Sequence, residues 1–272
     1  EVRAGLAASY IPVPGELAQI IERVASAVRF FRHPDGAFAQ FNGANADNGR
    51  LCDAVLIQAA ARASLPSILA DSGYHRLQQG RASLILDAGA PIVCAARESA
   101  HAGLLSFEYS FGRERIFVNC GSAASKPLRW QRVLRSTLAH CALAIDNRNA
   151  CSLDGNNLML NRPLVRAQRE KGNSAIFIEA THDGYKKRFG IIHQRRLSLE
   201  NNGEVLSGED TLTGSGTVAA DFAVRFHLHP DIDALFEDEE IVLRARSGIV
   251  WRFAAEGARL SLEESVYAGT AG

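Results

Sequence analysis

The sequence predicts a large antiparallel β-sandwich preceded by a short α-helical hairpin. Two observations carry this. Apolar residues recur at helical spacing before Pro66 and alternate with period two beyond it. Turn signals then cut the second part into about a dozen short segments.

Residues 1–14, with Pro12 and Pro14, read as irregular. From Glu16 onward, Leu17, Ile20, Ile21, Val24, Val28 and Phe31 fall on one helix face, and Pro34-Asp35-Gly36 stops the run. A Gly/Asn-rich loop covers 41–49. Leu51 to Ala63 then reads as a second helix, apolar on most sides and so buried. Such a hairpin cannot bury its own faces and must dock on something larger. Strands are expected at Arg81–Asp87, Pro91–Ala95, Leu104–Phe111, Glu114–Asn119, Thr137–Asp146, Ala175–Ala180, Phe189–Leu199, Glu204–Glu209, Phe222–His229, Glu240–Arg244, Gly248–Phe253 and Leu260–Tyr267. Turns at 87–90, 111–113, 201–203 and 254–257 separate several of them. The boundary falls near 66–72, giving a helical part at 1–68 and a sandwich at 69–272. No repeat of 20–50 residues is visible, which argues against propellers and solenoids.

Charge and composition exclude several functions. Lys+Arg and Asp+Glu balance at 30 each, so no net field steers the chain to nucleic acid or an anionic membrane. No apolar run is long enough to insert in a membrane. The chain starts at Glu1 with no initiator Met and no signal peptide, as expected of a fragment or processed piece. Nucleotide-binding glycine motifs are missing. The five cysteines are odd in number and lack a C-x-x-C, so buried free thiols are expected. A disulfide between Cys120 and Cys141 is the alternative if their strands pair.

The residues richest in chemistry are His101, Asn119 and His140. Two imidazoles and an amide on separate segments can meet at a metal ion, or can be hydrogen-bonded core residues.

Several motifs stand in order: Asp71-Ser72-Gly73-Tyr74-His75-Arg76-Leu77, Ala100-His101-Ala102-Gly103-Leu104-Leu105-Ser106-Phe107-Glu108, Val118-Asn119-Cys120-Gly121, and Arg135-Ser136-Thr137-Leu138-Ala139-His140. His182-Asp183-Gly184-Tyr185, Gly208-Glu209-Asp210-Thr211-Leu212 and Arg225-Phe226-His227-Leu228-His229-Pro230 follow. Together they resemble the heparinase II/III-like family over residues 40–267. The resemblance implies an α-helical toroid before the sandwich, with 1–65 as its tail end. It also implies β-elimination on a uronic-acid polysaccharide and a cell-envelope location, cytoplasm being the alternative. In the sandwich it implies a zinc site, whose ligand positions match His101, Asn119 and His140.

Three departures stand out. Ser99 occupies the position of the catalytic-cleft histidine, Asn119 that of the metal-binding Asp, and no Tyr lies between Gly121 and Ala139. A serine hydroxyl does not act as a base without an activating partner. The missing carboxylate weakens the expected zinc affinity. The catalytic residues are therefore unassigned. Two functions follow: a lyase-type domain supplying a metal site and part of the cleft, or a non-catalytic carbohydrate-binding or structural sandwich.

For an acidic polysaccharide partner, Tyr74, Arg76, His227 and His229 are the candidate contacts. Tyr74 and Arg76 either face a cleft or brace the junction. His227 and His229 share a strand face with Arg225. A basic face over Lys187–Arg196 suits sulfate or carboxylate groups.

Overall fold

The computed structural model describes residues 2–46, 49–59, 61–62, 64–91, 100–122, 127–153, 161–172, 174–214 and 220–269. Three helices come first: α1 (Val2–Ala8), α2 (Gly15–Phe30) and α3 (Gly49–Ala59). Helix α1 lies where irregular chain was expected; Pro12 and Pro14 end the short segment after it and do not disturb it. Helices α2 and α3 occupy the two segments expected to be helical. Helix α3 is mostly exposed and carries Leu51, Val55 and Ile57 on its surface, contrary to the expected burial.

Beyond residue 67 the chain is mainly strand. The first sheet has the order β1 (Ile68–Leu69), β2 (Tyr74–Gln79), β3 (Ala82–Asp87), β4 (Phe107–Phe111) and β5 (Glu114–Phe117). Helix α4 (Leu128–Leu134) and a 3-10 turn at Thr137–Ala139 follow, then β6 (Leu143–Ile145), β7 (Val165–Lys171) and β8 (Ala175–His182). One helical turn, α5 (Lys186–Phe189), leads into β9 (Ile191–Glu200) and β10 (Val205–Gly214). The second sheet runs β10-β9-β8-β7, antiparallel throughout. Strand β11 (Phe222–Val224) pairs with β6, while β12 (Ile232–Glu237), β13 (Glu240–Ala245) and β14 (Val250–Phe253) form a three-stranded sheet.

The sheets pack face to face because their apolar residues alternate. Leu77, Leu84, Leu86, Phe107 and Tyr109 of the first sheet join Ile176, Ile178, Leu197 and Leu199 of the second in one core. Ile232, Ile241 and Leu243 of the third sheet complete it. Each such side chain contributes about 1.5–3 kcal/mol by leaving water.

The opposite face of the first sheet positions the helical part. Arg76, Ile85 and Glu108 form one cross-strand row there. In a free-standing sandwich this row would face solvent. Here Phe30, Ala39 and Phe41 cover it, packing with Tyr74 and Ile85. The polar members of the row are buried as a result.

Several expected strands shift. Thr137–Asp146 is a 3-10 turn followed by the short β6, and only 222–224 of Phe222–His229 is strand. Residues 225–229 still run extended beside β5: Leu228 bridges Phe117, and the Val118 N–H donates to the His227 carbonyl. Leu260–Tyr267 has no strand pairing among the described residues. The expected strand at 91–95 lies almost wholly outside them. Cys120 and Cys141 are buried free thiols. Cys141 Sγ donates to the Val118 carbonyl, and Cys120 Sγ contacts Ser265 Oγ.

Candidate functional site

None of His101, Asn119 and His140 lies in a strand, yet the fold brings the two histidines together. His101 Nδ1 and His140 Nε2 are 3.1 Å apart, with the rings edge to face. The chain around them fixes this contact. The Ala102 N–H donates to the Arg135 carbonyl, the Thr137 hydroxyl donates to the Ala102 carbonyl, and Arg135 donates twice to the Ala100 carbonyl. The His101 N–H donates to Asn42 Oδ1. Gly103 lies flat against the His140 imidazole, where a Cβ would stand 2.7 Å from Cδ2.

The proton positions follow from the partners. His140 Nδ1 is 2.7 Å from the Ser136 carbonyl and must donate to it. Nε2 therefore carries the lone pair, which accepts from His101 Nδ1–H. Burial pushes His140 down to about 4, against the raising effect of the Ser136 carbonyl. Burial also pushes His101 well down, and His140 and Arg135 add to the shift. Both rings are neutral at neutral pH.

Asn119 is fully buried just after β5. Its Oδ1 accepts the Cys141 N–H at 3.1 Å, while Nδ2 has no partner among the described residues. Turning the amide over would set an NH2 group against an N–H group, two donors face to face. The oxygen spends one of its two lone pairs on that N–H, and the other atom is an amide nitrogen, which is not a metal ligand. To a metal ion these residues offer two imidazole nitrogens and a neutral amide in place of a carboxylate. Among the described residues, no group of three or more His, Cys, Asp or Glu side chains is placed to hold a metal ion. Ser99 lies outside the described residues.

The four candidate sugar contacts sit elsewhere. Tyr74 is buried at the junction, its hydroxyl donating to Asp87 and accepting from Asn42. Arg76 is also buried and donates to the Phe30 and Arg32 carbonyls at the C-terminal end of α2. A cation there complements the helix dipole. Both residues brace the junction. His227 bridges Ser265 Oγ and the Leu138 carbonyl. His229 packs edge-on against Tyr267 and lines a cavity of about 80 Å³ with Arg115, Asp35, Asp231 and Arg246. Two ion pairs lie at that cavity, Arg115–Asp35 and Arg246–Asp231.

The basic face expected over Lys187–Arg196 does not form. Lys186–Phe189 is a helical turn, which ends the alternation before β9. Arg195 points inward and is almost wholly buried. Arg196 points outward over the Phe177 ring, in register between Glu179 and Glu209.

Arg195 belongs to a buried chain of groups that sequence reasoning missed. The Gly184 N–H donates to His182 Nδ1, so His182 Nε2–H donates to His193 Nδ1 at 3.0 Å. His193 Nε2–H in turn donates to Asp210 at 2.6 Å. Arg195 grips both oxygens of Asp210, and its other arm donates to the Leu105 and Cys141 carbonyls. Burial would raise the Asp210 carboxyl, but Arg195 and His193 hold it well below the usual carboxylate range. No nucleophile terminates this chain; it ties the second sheet to the two segments around the histidine pair. Alternation from Ile191 already puts His193 and Arg195 on one face, which was the available signal.

The comparisons place this geometry. A relative from Caulobacter vibrioides (strain NA1000 / CB15N), FtsZ-localized protein C, is 29% identical over 262 residues, covering 88% of this chain and 44% of its own length. The structure of heparan sulfate lyase HepC from Pedobacter heparinus superposes with a TM-score of 0.64 at 17% identity, covering 87% of this chain and 39% of that one. A heparinase III structure gives 0.65 at 13% identity, covering 85% and 41%. The chain thus spans less than half the length of each. These likenesses in structure establish the fold alone. The model of the heparinase II/III-like C-terminal family matches residues 62–272, and the chain belongs to that family.

Proposed function

We propose that this domain is a non-catalytic heparinase-type sandwich, a binding or structural module that does not cleave its ligand. One observation carries this: the two groups that the resemblance expects to move protons are replaced, with Ser99 at the position of the cleft histidine and no tyrosine between Gly121 and Ala139. β-Elimination needs a base and an acid free to move a proton at the sugar. A serine hydroxyl without an activating partner does not act as that base. The name of the Caulobacter relative records localisation with FtsZ, a position in the cell and not a sugar-cleaving activity. It supports the same reading. An acidic polysaccharide is the ligand class that the family suggests, and recruitment to the cell envelope is part of the proposal.

The lyase reading remains the second, favoured by the family match and the fold shared with heparan sulfate lyase. One experiment separates the two. The longest available form of the protein is incubated with heparan sulfate, alginate and hyaluronate, following unsaturated-uronate absorbance and, in parallel, retardation in polysaccharide-containing gels. Retardation without absorbance is expected. Absorbance growth on any of the polymers would overturn the non-catalytic reading.

A further inference from the structure

We infer that His101, His140 and Asn119 form a metal-independent clasp, and that the neutral amide of Asn119, standing in place of a carboxylate, weakens the site for zinc. The inference deepens the non-catalytic reading and rests on it.

The histidine series of the clasp is joined without an ion. Ser136 O, His140 and His101 form a directed series in which each N–H has an acceptor. Asn119 Oδ1 joins from the other side by holding the N–H of Cys141, the residue next to His140. The series fastens the 100–105 segment to the 135–141 segment, which Arg135 and Thr137 also stitch together. A metal would have to break the imidazole–imidazole bond to enter.

The geometry is nonetheless close to that of a metal site. With zinc–nitrogen bonds near 2.0–2.1 Å, two ligands on a tetrahedral ion stand about 3.3 Å apart. The imidazole nitrogens are separated by 3.1 Å. What is missing is a third ligand, an anionic oxygen. A carboxylate at 119 would keep one oxygen on the Cys141 N–H and put a second at the Nδ2 position, which lacks a partner among the described residues. It would also add the negative charge that favours a dication.

The test compares the wild-type protein with Asn119→Asp. Each is purified without chelator, assayed for zinc by mass spectrometry, and melted with EDTA and with added zinc chloride. For wild type we expect substoichiometric zinc and a Tm that neither addition moves. For Asn119→Asp we expect zinc affinity higher by at least about 10–100-fold, with a Tm that rises with zinc and falls with EDTA. Stoichiometric zinc in wild type, or a wild-type Tm lowered by EDTA, would overturn the clasp. A folded Asn119→Asp protein that gains no zinc would overturn the role given to the amide. The wild-type arm needs no variant to fold. Uronate absorbance bears on the non-catalytic reading and zinc content on the clasp, so either can fail alone.

Discussion

His33 Nε2 lies 2.8 Å from Glu108 Oε2, with both side chains fully buried at the junction of the helical part and the sandwich. The other oxygen of Glu108 accepts the backbone N–H groups of Gln40 and Asn119. One carboxyl group therefore fixes the chain after α2, the covered face of the first sheet, and the residue that closes the clasp. Its backbone partners cannot reach water once the junction closes.

Removing that group should be costly. Glu108→Ala leaves two buried N–H groups without an acceptor and His33 without its partner, a loss of about 3–5 kcal/mol. Glu108→Gln keeps one oxygen acceptor and should cost less. Urea midpoints of the two variants test this. Equal, small losses would show that the junction is not held through Glu108.

The Arg195–Asp210 pair gives a second prediction. Asp210→Asn removes a charge from a buried bidentate pair and leaves the Arg195 guanidinium uncompensated, at about 3–5 kcal/mol. Arg195→Met should cost a similar amount, because the Leu105 and Cys141 carbonyls lose their donor. The double variant should cost less than the sum, since each single change strands the partner of the other. Strict additivity in denaturation experiments would contradict a coupled pair.

The sandwich was legible because its inward residues alternate over β3, β4, β8 and β9, and period two is a local property. What escaped depends on the other layer. Strand β2 begins Tyr74-His75-Arg76, which looks like solvent-facing sequence; it is buried because Phe30 and Phe41 cover one face and the sandwich core the other. Strand β7 is polar along most of its length and lies at a sheet edge, where one-sided exposure hides the apolar signal. The candidate site was half legible. His101 and His140 do meet, but Asn119 Oδ1 turns to Cys141 because of which donor the fold sets beside it, and sequence spacing does not encode that.

Gly103 supplies a third prediction. A methyl group there would stand 2.7 Å from His140 Cδ2. Gly103→Ala should cost about 1–3 kcal/mol as an overpacked site. It should also pull the two imidazoles apart. Imidazole nitrogen shifts measured by NMR report this, because His140 Nε2 would lose the hydrogen bond it accepts from His101. Unchanged shifts in a folded variant would show that the ring has room to move.

Acid should weaken the fold through its histidines. Burial lowers the pKa of His75, His101, His140, His182, His193, His227 and His229 below the ordinary 6.5. Below that value the unfolded chain binds protons that the native state refuses, so stability rises with pH. The contribution is fully present above the unfolded value and is lost as pH falls toward the native one, which for His140 and His229 is about 4. Each buried ring adds a slope of up to about 1.4 kcal/mol per pH unit within its window. Asp87 opposes them: burial raises it from 3.8 to about 6, so its contribution is present at low pH and is lost as pH rises through that range. Asp210, held low, withdraws its contribution only in stronger acid than the histidines do. Seven lowered histidines outweigh one raised carboxyl, and the urea midpoint should drop steeply between about pH 6.5 and about pH 4.5. A midpoint that stays flat over that interval would mean that the histidines titrate alike in the native and unfolded chains.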